Sequence, residues 1–110
     1  MSDEPLFDLL DLLGRRHALA ALWELRGAPY PFGALASALG APASVLTQRL
    51  RELREAGLVE VDEAGDYRLT THGRRLQGYL EPLAAYADQW VSLSPRQRSP
   101  RGSTDRGRGE

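Results

Sequence analysis

The 110-residue chain contains no cysteine, and none of its apolar runs approaches the length of a membrane span. The missing cysteine excludes disulfides, thiolate zinc sites, CxxC redox pairs and a cysteine nucleophile. Because a span needs roughly 18 consecutive apolar residues, we expect no membrane partner. The two histidines, His17 and His72, cannot form a zinc site by themselves. We therefore expect neither a metal nor a cofactor.

Enzyme motifs are missing as well. The chain has no glycine-rich phosphate loop, no HExxH motif and no nucleophile–base spacing, so an enzyme is the least expected class. Its first residues, MSDEPLFDLLDLLG, are acidic where a secretory signal is basic, and they lack a small-residue cleavage site. We therefore expect a cytoplasmic protein. A hydrophobic fraction of 42% and a charged fraction of 26% are typical of a soluble globular protein, and the length fits one domain.

Charge is divided unevenly along the chain. Residues 94–110 contain five arginines and two acidic residues, so this segment carries a charge of +3 within a chain whose net charge is −1. The segment is rich in Arg, Gly, Ser and Pro and has no apolar periodicity, which is typical of disorder. We predict a folded domain over residues 1–93 and a disordered tail over 94–110. The tail's Arg-Gly pairs can contact nucleic-acid phosphates, although a solvated terminus is the simpler interpretation.

Apolar residues recur at helical spacing in the first half of the chain. The spacing predicts helices over residues 6–13, 15–26, 32–39 and 43–56, with glycines at or just after their ends. In the last of these helices, leucines occupy one face and polar residues the opposite face.

From Leu58 the period of the apolar residues changes from 3.6 to 2. Residues 58–62 and 67–69 alternate between apolar and polar, and the acidic turn 63–66 separates them. This pattern predicts a small β-hairpin.

A last helix is predicted after the hairpin. Thr70 or Thr71 can cap it, and its apolar stripe continues to about Trp90. Pro82 lies inside this helix, where a proline costs about 3 kcal/mol. We therefore expect the helix to bend there or to start again near Glu81.

Helices joined by short turns and followed by a hairpin are the plan of a winged helix-turn-helix. The predicted fold is thus mainly α with a small β-hairpin wing. Over residues 9–90 the sequence resembles the HxlR-type branch of the MarR-like bacterial transcription regulators. Four stretches carry the resemblance: LDLLG (10–14), FGALASAL (32–39), SVLTQRLRELREAGLV (44–59) and YRLTTHGRRL (67–76).

The resemblance implies a sequence-specific DNA-binding regulator, a homodimer that places one recognition helix per subunit in successive major grooves of a palindromic operator. It assigns the contacts with double-stranded DNA to Ser44, Thr47, Gln48 and Arg51. Their chemistry is suitable, because glutamine pairs with adenine, arginine with guanine, and serine or threonine with phosphates or base edges. The competing interpretation is that these residues form only the solvated face of an amphipathic helix.

Three further arginines are candidate DNA contacts, each with an alternative role. Arg49 flanks the buried face, so we expect it to pair with an acid or to touch phosphate. Arg54 is suited to a backbone contact or to compensation of the helix dipole. Arg68 occupies the basic wing position, but a cross-strand pair with Glu60 or Asp62 is the alternative.

The first and last helices carry apolar stripes that the small domain leaves without a partner, and a two-fold dimer would cover them. A small-molecule effector, whose identity the sequence does not indicate, could enter between the last helices. The predicted dimer contacts are Leu6, Leu9, Leu10, Leu13, Leu80, Leu83, Tyr86, Ala87 and Trp90.

The predicted wing departs from a DNA-binding pattern. It contains four acidic residues and one arginine, whereas phosphate binding requires the reverse. A winged-helix protein-interaction module with weak or no specific DNA binding is therefore the alternative function.

Overall fold

The computed structural model describes residues 2–93, so the predicted tail lies outside the described residues. Over residues 2–93, no helix is both long and apolar enough to cross a membrane. The chain divides between Gln77 and Gly78 into two compact units. The element order confirms the predicted fold class, a mainly α winged helix-turn-helix. The elements are α1 (Glu4–Leu13), α2 (Ala18–Glu24), α3 (Phe32–Leu39), α4 (Ala43–Glu55), β1 (Val59–Val61), β2 (Tyr67–Leu69) and α5 (Thr71–Val91).

Leucines form the core of the first unit. Leu46, Leu50 and Leu53 of α4 are almost completely buried, as are Leu22 of α2 and Leu35 of α3. The leucine spacing of α4 places these side chains on one face of the helix, and that face packs against α2.

Leu13 was predicted to lie at a dimer interface, but it is only 8% exposed and belongs to this core. It is the last residue of α1, and α1 packs against α2. Leu9 is half-buried and also packs against the core. Both residues thus contribute to packing within their own chain, and their contact with a second subunit stays a prediction.

The second helix begins three residues later than predicted, at Ala18. His17 has a φ of 71°, which is the left-handed region and cannot be continued in a right-handed helix. Residues 15–17 therefore form a turn, closed by a hydrogen bond from the Ala18 N–H to the Arg15 carbonyl. This turn brings Arg15 and Arg16 next to α4.

Gly57 ends α4 and directs the chain into the hairpin. It has a φ of 79°, and its N–H donates to the carbonyl of Arg54. The next N–H, that of Leu58, donates to the carbonyl of Leu53. These two bonds define a Schellman motif, in which glycine tolerates the left-handed backbone that other residues avoid. The predicted role of Gly57 as the helix end is confirmed.

The hairpin pairs β1 with β2 in antiparallel register, with Val59 opposite Leu69 and Glu60 opposite Arg68. The Asp62 carboxylate organises the turn by accepting hydrogen bonds from the N–H groups of Ala64 and Asp66, each 2.9 Å long. The acidic residue at the start of the turn therefore has a structural role.

A single residue extends this small sheet. Tyr30 exchanges two backbone hydrogen bonds with Tyr67, of 2.9 and 2.8 Å, and so forms a third, one-residue strand. Pro29 and Pro31 favour a turn over residues 28–31, so the sequence gives no sign of this single paired position.

Thr70 joins the hairpin to α5. Its hydroxyl donates to the Gly57 carbonyl and accepts from the Gly73 N–H, which confirms the predicted cap. Gly73 lies against the Leu58 carbonyl, and a Cβ at Gly73 would overlap that oxygen.

The helix α5 runs without interruption from Thr71 to Val91, with Pro82 inside it. The expectation of a new helix starting near Glu81 is wrong. A proline removes one backbone hydrogen bond, which is a small fraction of those that a 21-residue helix can form.

Candidate nucleic-acid interface

The side of α4 opposite its leucines is exposed and polar. Because buried leucines recur at every third or fourth position, the residues between them are directed away from the core. Five of the predicted DNA contacts lie on α4 with exposed side chains, and their contact with DNA remains a prediction. They are Ser44, Thr47, Gln48, Arg51 and Arg54.

A half-buried carboxylate, that of Glu52, lies beside this polar face. Its Oε1 accepts hydrogen bonds from Arg49 at 2.8 Å and from Arg15 at 3.1 Å. Its Oε2 accepts from Gln48 Nε2 at 2.8 Å. The Gln48 hydrogen bond, together with those from the two arginines, lowers the pKa of Glu52 to about 2, although burial opposes this shift. Glu52 is therefore ionised at neutral pH.

Arg49 is held by the protein itself. Besides its ion pair with Glu52, its Nε donates to the Arg16 carbonyl at 3.1 Å, and the side chain is 21% exposed. Of the two roles expected for Arg49, the structure shows the pairing with an acid. The residue joins α4 to the turn before α2, and its contact with a DNA phosphate stays a prediction.

Gln48 and Arg51 form a hydrogen-bonded pair on the exposed face. Arg51 Nη1 donates to Gln48 Oε1 at 2.9 Å, while the amide nitrogen of Gln48 donates to Glu52. Both ends of the Gln48 side chain are therefore occupied in the free protein.

The wing arginine is paired with an acid. Arg68 Nε donates to Glu60 Oε2 at 2.8 Å, directly across the hairpin. The structure thus shows the cross-strand alternative for Arg68. The pair is 44% and 43% exposed, so water and salt screen it, and it can open at modest cost.

An open groove of about 540 Å³ separates the end of α4 from the hairpin. Arg51 and Arg54 line one side of it, whereas Glu60 and Val61 line the other. Both arginines that line this groove are therefore residues of α4. Within residues 2–93, no three acidic or histidine side chains are grouped as a metal site would require.

Apolar residues are exposed on α1 in the first unit. Leu6 and Leu10 are about half exposed, as predicted for a surface awaiting a partner. Phe7, which the sequence analysis did not assign, is 62% exposed. Its position three residues before Leu10 was the signal that it shares this face.

The second unit also has an apolar surface. A shallow groove of about 290 Å³ is lined by Leu83, Tyr86, Ala87 and Trp90, four of the residues predicted to form a dimer interface. Leu80 is half-buried, and Tyr79 is 73% exposed. Exposed apolar surface of this kind is characteristic of interaction sites.

A polar α4, a preceding short helix and a following hairpin define a winged helix-turn-helix protein of the nucleic-acid-binding class. The model of the HxlR-like helix-turn-helix family matches residues 12–95, and the chain belongs to that family. The resemblance described from the sequence is thereby confirmed.

Similar proteins carry regulator names. An HTH-type transcriptional regulator of Mycobacterium tuberculosis is 36% identical over 97 residues, which are 83% of this chain and 60% of the relative. A relative in Mycobacterium bovis matches equally. The chain thus spans about three fifths of the length of these relatives. These relatives are regulators by name.

Solved structures share the fold. Quinone-bound YodB from B. subtilis has a TM-score of 0.72 and 28% identity, over 78% of this chain and 98% of that one. A regulator of the MarR family from Enterococcus faecalis has a TM-score of 0.70 and 28% identity, over 83% of this chain and 90% of that one. Both relationships place the chain among winged-helix regulators.

Proposed function

We propose that the chain is a sequence-specific DNA-binding transcriptional regulator that acts as a homodimer on a palindromic operator. The exposed polar face of α4 carries this proposal. It offers hydroxyl groups at Ser44 and Thr47 and a guanidinium at Arg51, on a helix whose other face is fixed by buried leucines. The family and the names of the relatives support the same conclusion.

The chemistry of α4 suits the major groove, which admits one α-helix. Arginine can donate two hydrogen bonds to guanine O6 and N7, and hydroxyl groups can donate to phosphates or base edges. Arg54, on the last turn of α4, is assigned in this proposal to a backbone phosphate, which its positive charge would attract.

The proposed dimer would use the exposed apolar residues of α1 and α5. Large exposed side chains at Leu10 and Phe7, and separately at Leu83 and Tyr86, provide surface that a second subunit can bury. Two recognition helices would then lie about 34 Å apart and contact successive major grooves. We also propose a cytoplasmic location, where such a regulator meets DNA.

Fluorescence anisotropy tests the DNA-binding proposal. The chain is titrated against the duplex upstream of its own gene and against a scrambled duplex, at salt concentrations from about 0.05 to 0.2 M. We expect the first duplex to bind at least about a thousandfold more tightly. Weak and equal binding to both would contradict specific recognition and favour the protein-interaction module, which the paired wing arginine also suits.

Sedimentation equilibrium tests the dimer. Tyr86→Asp places a charge in the α5 groove and is expected to shift the chain to monomer. Arg75→Asp, an exposed position on the same helix that we do not assign to the interface, is the control and should remain dimeric. A monomeric wild-type chain would contradict the proposed dimer.

A further inference from the structure

The polar side chains on α4 are not independent of one another. A continuous series of hydrogen bonds connects the half-buried Glu52 carboxylate to Gln48 and then to Arg51. Each bond is 2.8 or 2.9 Å long, which is within the range of good hydrogen bonds. The series begins at a group held inside the domain and ends at a cation on the exposed face.

The first group in the series is firmly anchored. The Glu52 side chain is 15% exposed and accepts hydrogen bonds from two arginines of different segments, Arg15 before α2 and Arg49 on α4. These charge-assisted bonds hold one carboxylate oxygen and leave the other to Gln48. The position of that second oxygen is therefore set by the fold and not by solvent.

The anchored carboxylate determines which way the Gln48 amide faces. An ionised carboxylate only accepts hydrogen bonds, so the amide must direct its NH₂ group toward Glu52. Its carbonyl oxygen then faces Arg51, whose Nη1 donates to it. In the opposite orientation the amide oxygen of Gln48 would face the Glu52 carboxylate, and its NH₂ group would face the N–H donors of Arg51. Neither contact would be a hydrogen bond.

Arg51 keeps most of its donors in this arrangement. A guanidinium has five N–H donors, and the bond to Gln48 uses one of them. A bidentate contact with guanine uses two. The guanidinium is thus restrained in orientation while it can still bind a base edge, and the cost of ordering a flexible side chain on binding is reduced.

We propose that Glu52 is a positioning residue for DNA recognition, which acts through Gln48 to orient the Arg51 guanidinium toward the operator. Gln48 is then a second positioning residue and does not pair with adenine. This inference rests on the proposed DNA-binding function, and it revises the role that the sequence suggested for Gln48.

A comparison of charge-matched variants tests the effect on recognition. An operator is first selected with the wild-type chain from a pool of random duplexes, and affinities for it and for a scrambled duplex are then measured. Glu52→Gln is expected to reduce the ratio of the two affinities about tenfold, the equivalent of one charge-assisted hydrogen bond. Glu55→Gln removes the same charge from an exposed position of α4. It should strengthen binding to both duplexes equally and leave the ratio unchanged.

The Arg51→Ala background separates positioning from direct contact. If Glu52 and Gln48 act through Arg51, neither Glu52→Gln nor Gln48→Ala reduces the affinity ratio further once Arg51 is alanine. Gln48→Ala changes only an exposed side chain, so it tests the proposal even if Glu52→Gln fails to fold. Effects that add in the double variants would overturn the proposal, as would a single Gln48→Ala variant that keeps the wild-type ratio.

A DNA-free measurement distinguishes failure of this inference from failure of the proposed function. NMR of the free protein reports the rotation of the Arg51 guanidinium and the shifts of the Gln48 side-chain amide. We expect Gln48→Ala to speed the guanidinium rotation, while Glu55→Gln leaves it unchanged. Unrestrained rotation in the wild type would overturn the positioning role, whatever the DNA result. Restrained rotation with no preference for any duplex would overturn both the function and the recognition role of Glu52.

Discussion

The exposed face of α4 and the wing both contain an arginine bonded to a neighbouring side chain, but the two neighbours differ. Arg51 donates to the neutral amide of Gln48, whereas Arg68 donates to the charged carboxylate of Glu60. A neutral acceptor leaves the cation's charge available to DNA, while a carboxylate compensates it. Two arginines that look equivalent in the sequence therefore differ in what they can offer a phosphate or a base.

The acids of the wing increase this difference. Asp62 uses its carboxylate to hold the turn, and the exposed Glu63 adds further negative charge at the tip. Acidic groups next to a phosphate backbone weaken binding. The proposed recognition of DNA is thus concentrated on α4, and the wing contributes mainly to the fold.

Gly73→Ala should have the largest effect, because it disrupts the junction to which both regions are attached. The new Cβ would overlap the Leu58 carbonyl oxygen, which also accepts from the Thr70 N–H. We expect a loss of about 3 kcal/mol in the free energy of unfolding, measured by urea denaturation. Gly78→Ala is the control, since its Cβ meets no atom within 4 Å. It should stabilise α5 by up to about 1 kcal/mol, and equal losses in both variants would contradict the packing argument.

Arg51→Ala and Arg68→Ala compare the two regions directly. Loss of the α4 arginine is expected to cost about 1–3 kcal/mol of operator binding, measured by anisotropy, because a base contact is removed. Loss of the wing arginine should cost under about 1 kcal/mol, since its charge is already compensated by Glu60. A larger loss at Arg68 than at Arg51 would reverse the assignment of the two regions.

Glu60→Gln should leave the wing arginine beside a neutral side chain, as Arg51 is on α4. Removal of the carboxylate frees the Arg68 charge for a phosphate, so the slope of log affinity against log salt should steepen by about 1. The increase should be the same for operator and scrambled duplexes, because a phosphate contact carries no sequence information. In the double variant with Arg68→Ala the slope should return toward the wild-type value, and a persistent change would show that Arg68 is not the group released.

Acid should remove the contribution of Glu52 to folding, which distinguishes the inner side of α4 from the wing. The pKa of Glu52 in the folded chain is about 2, below its ordinary value of 4.5. The unfolded state therefore takes up a proton at higher pH than the folded state. The stabilisation from Glu52 is complete above about pH 4.5 and is lost as the pH falls toward 2. Urea unfolding from pH 6 to pH 2.5 measures it.

Glu52→Gln is the control for the acid experiment, because the amide cannot titrate over this range. The stability of this variant should fall less steeply with acid than that of the wild type. Identical pH profiles for the two chains would mean that the ion pairs of Glu52 contribute nothing to folding.

Much of the fold could be predicted from local patterns. The leucine spacing and the terminal glycines placed α3 and α4 within one residue of their observed ends, and the change of period located the hairpin. The late start of α2 could not be predicted. It depends on the left-handed backbone of His17, and this conformation is uncommon in residues other than glycine and is not indicated by the neighbouring sequence.

Pairings between distant residues were also beyond the sequence. The contact of Arg49 with the Arg16 carbonyl joins positions 33 residues apart, and only the folded chain brings them together. The Tyr30–Tyr67 bridge is a similar case. The polar side of α4 was correctly located by periodicity, but which of its residues are bonded to one another depends on Glu52, a residue that the pattern left unassigned.

Arg15 contacts one acidic residue on α1 and another on α4, so the electrostatic energies of these two residues depend on each other. Its guanidinium lies 3.6 Å from Asp11 on α1 and 3.1 Å from Glu52 on α4, so both carboxylates share one cation. An event on α1 that displaces Asp11 changes the electrostatic energy of Glu52 through this shared charge. By reciprocity, an event on α4 changes the energy of α1 by the same amount. If the proposed dimer forms through the apolar side of α1 and displaces Asp11, dimerisation and the proposed recognition through α4 would be coupled equilibria, and the affinity of each would depend on the other.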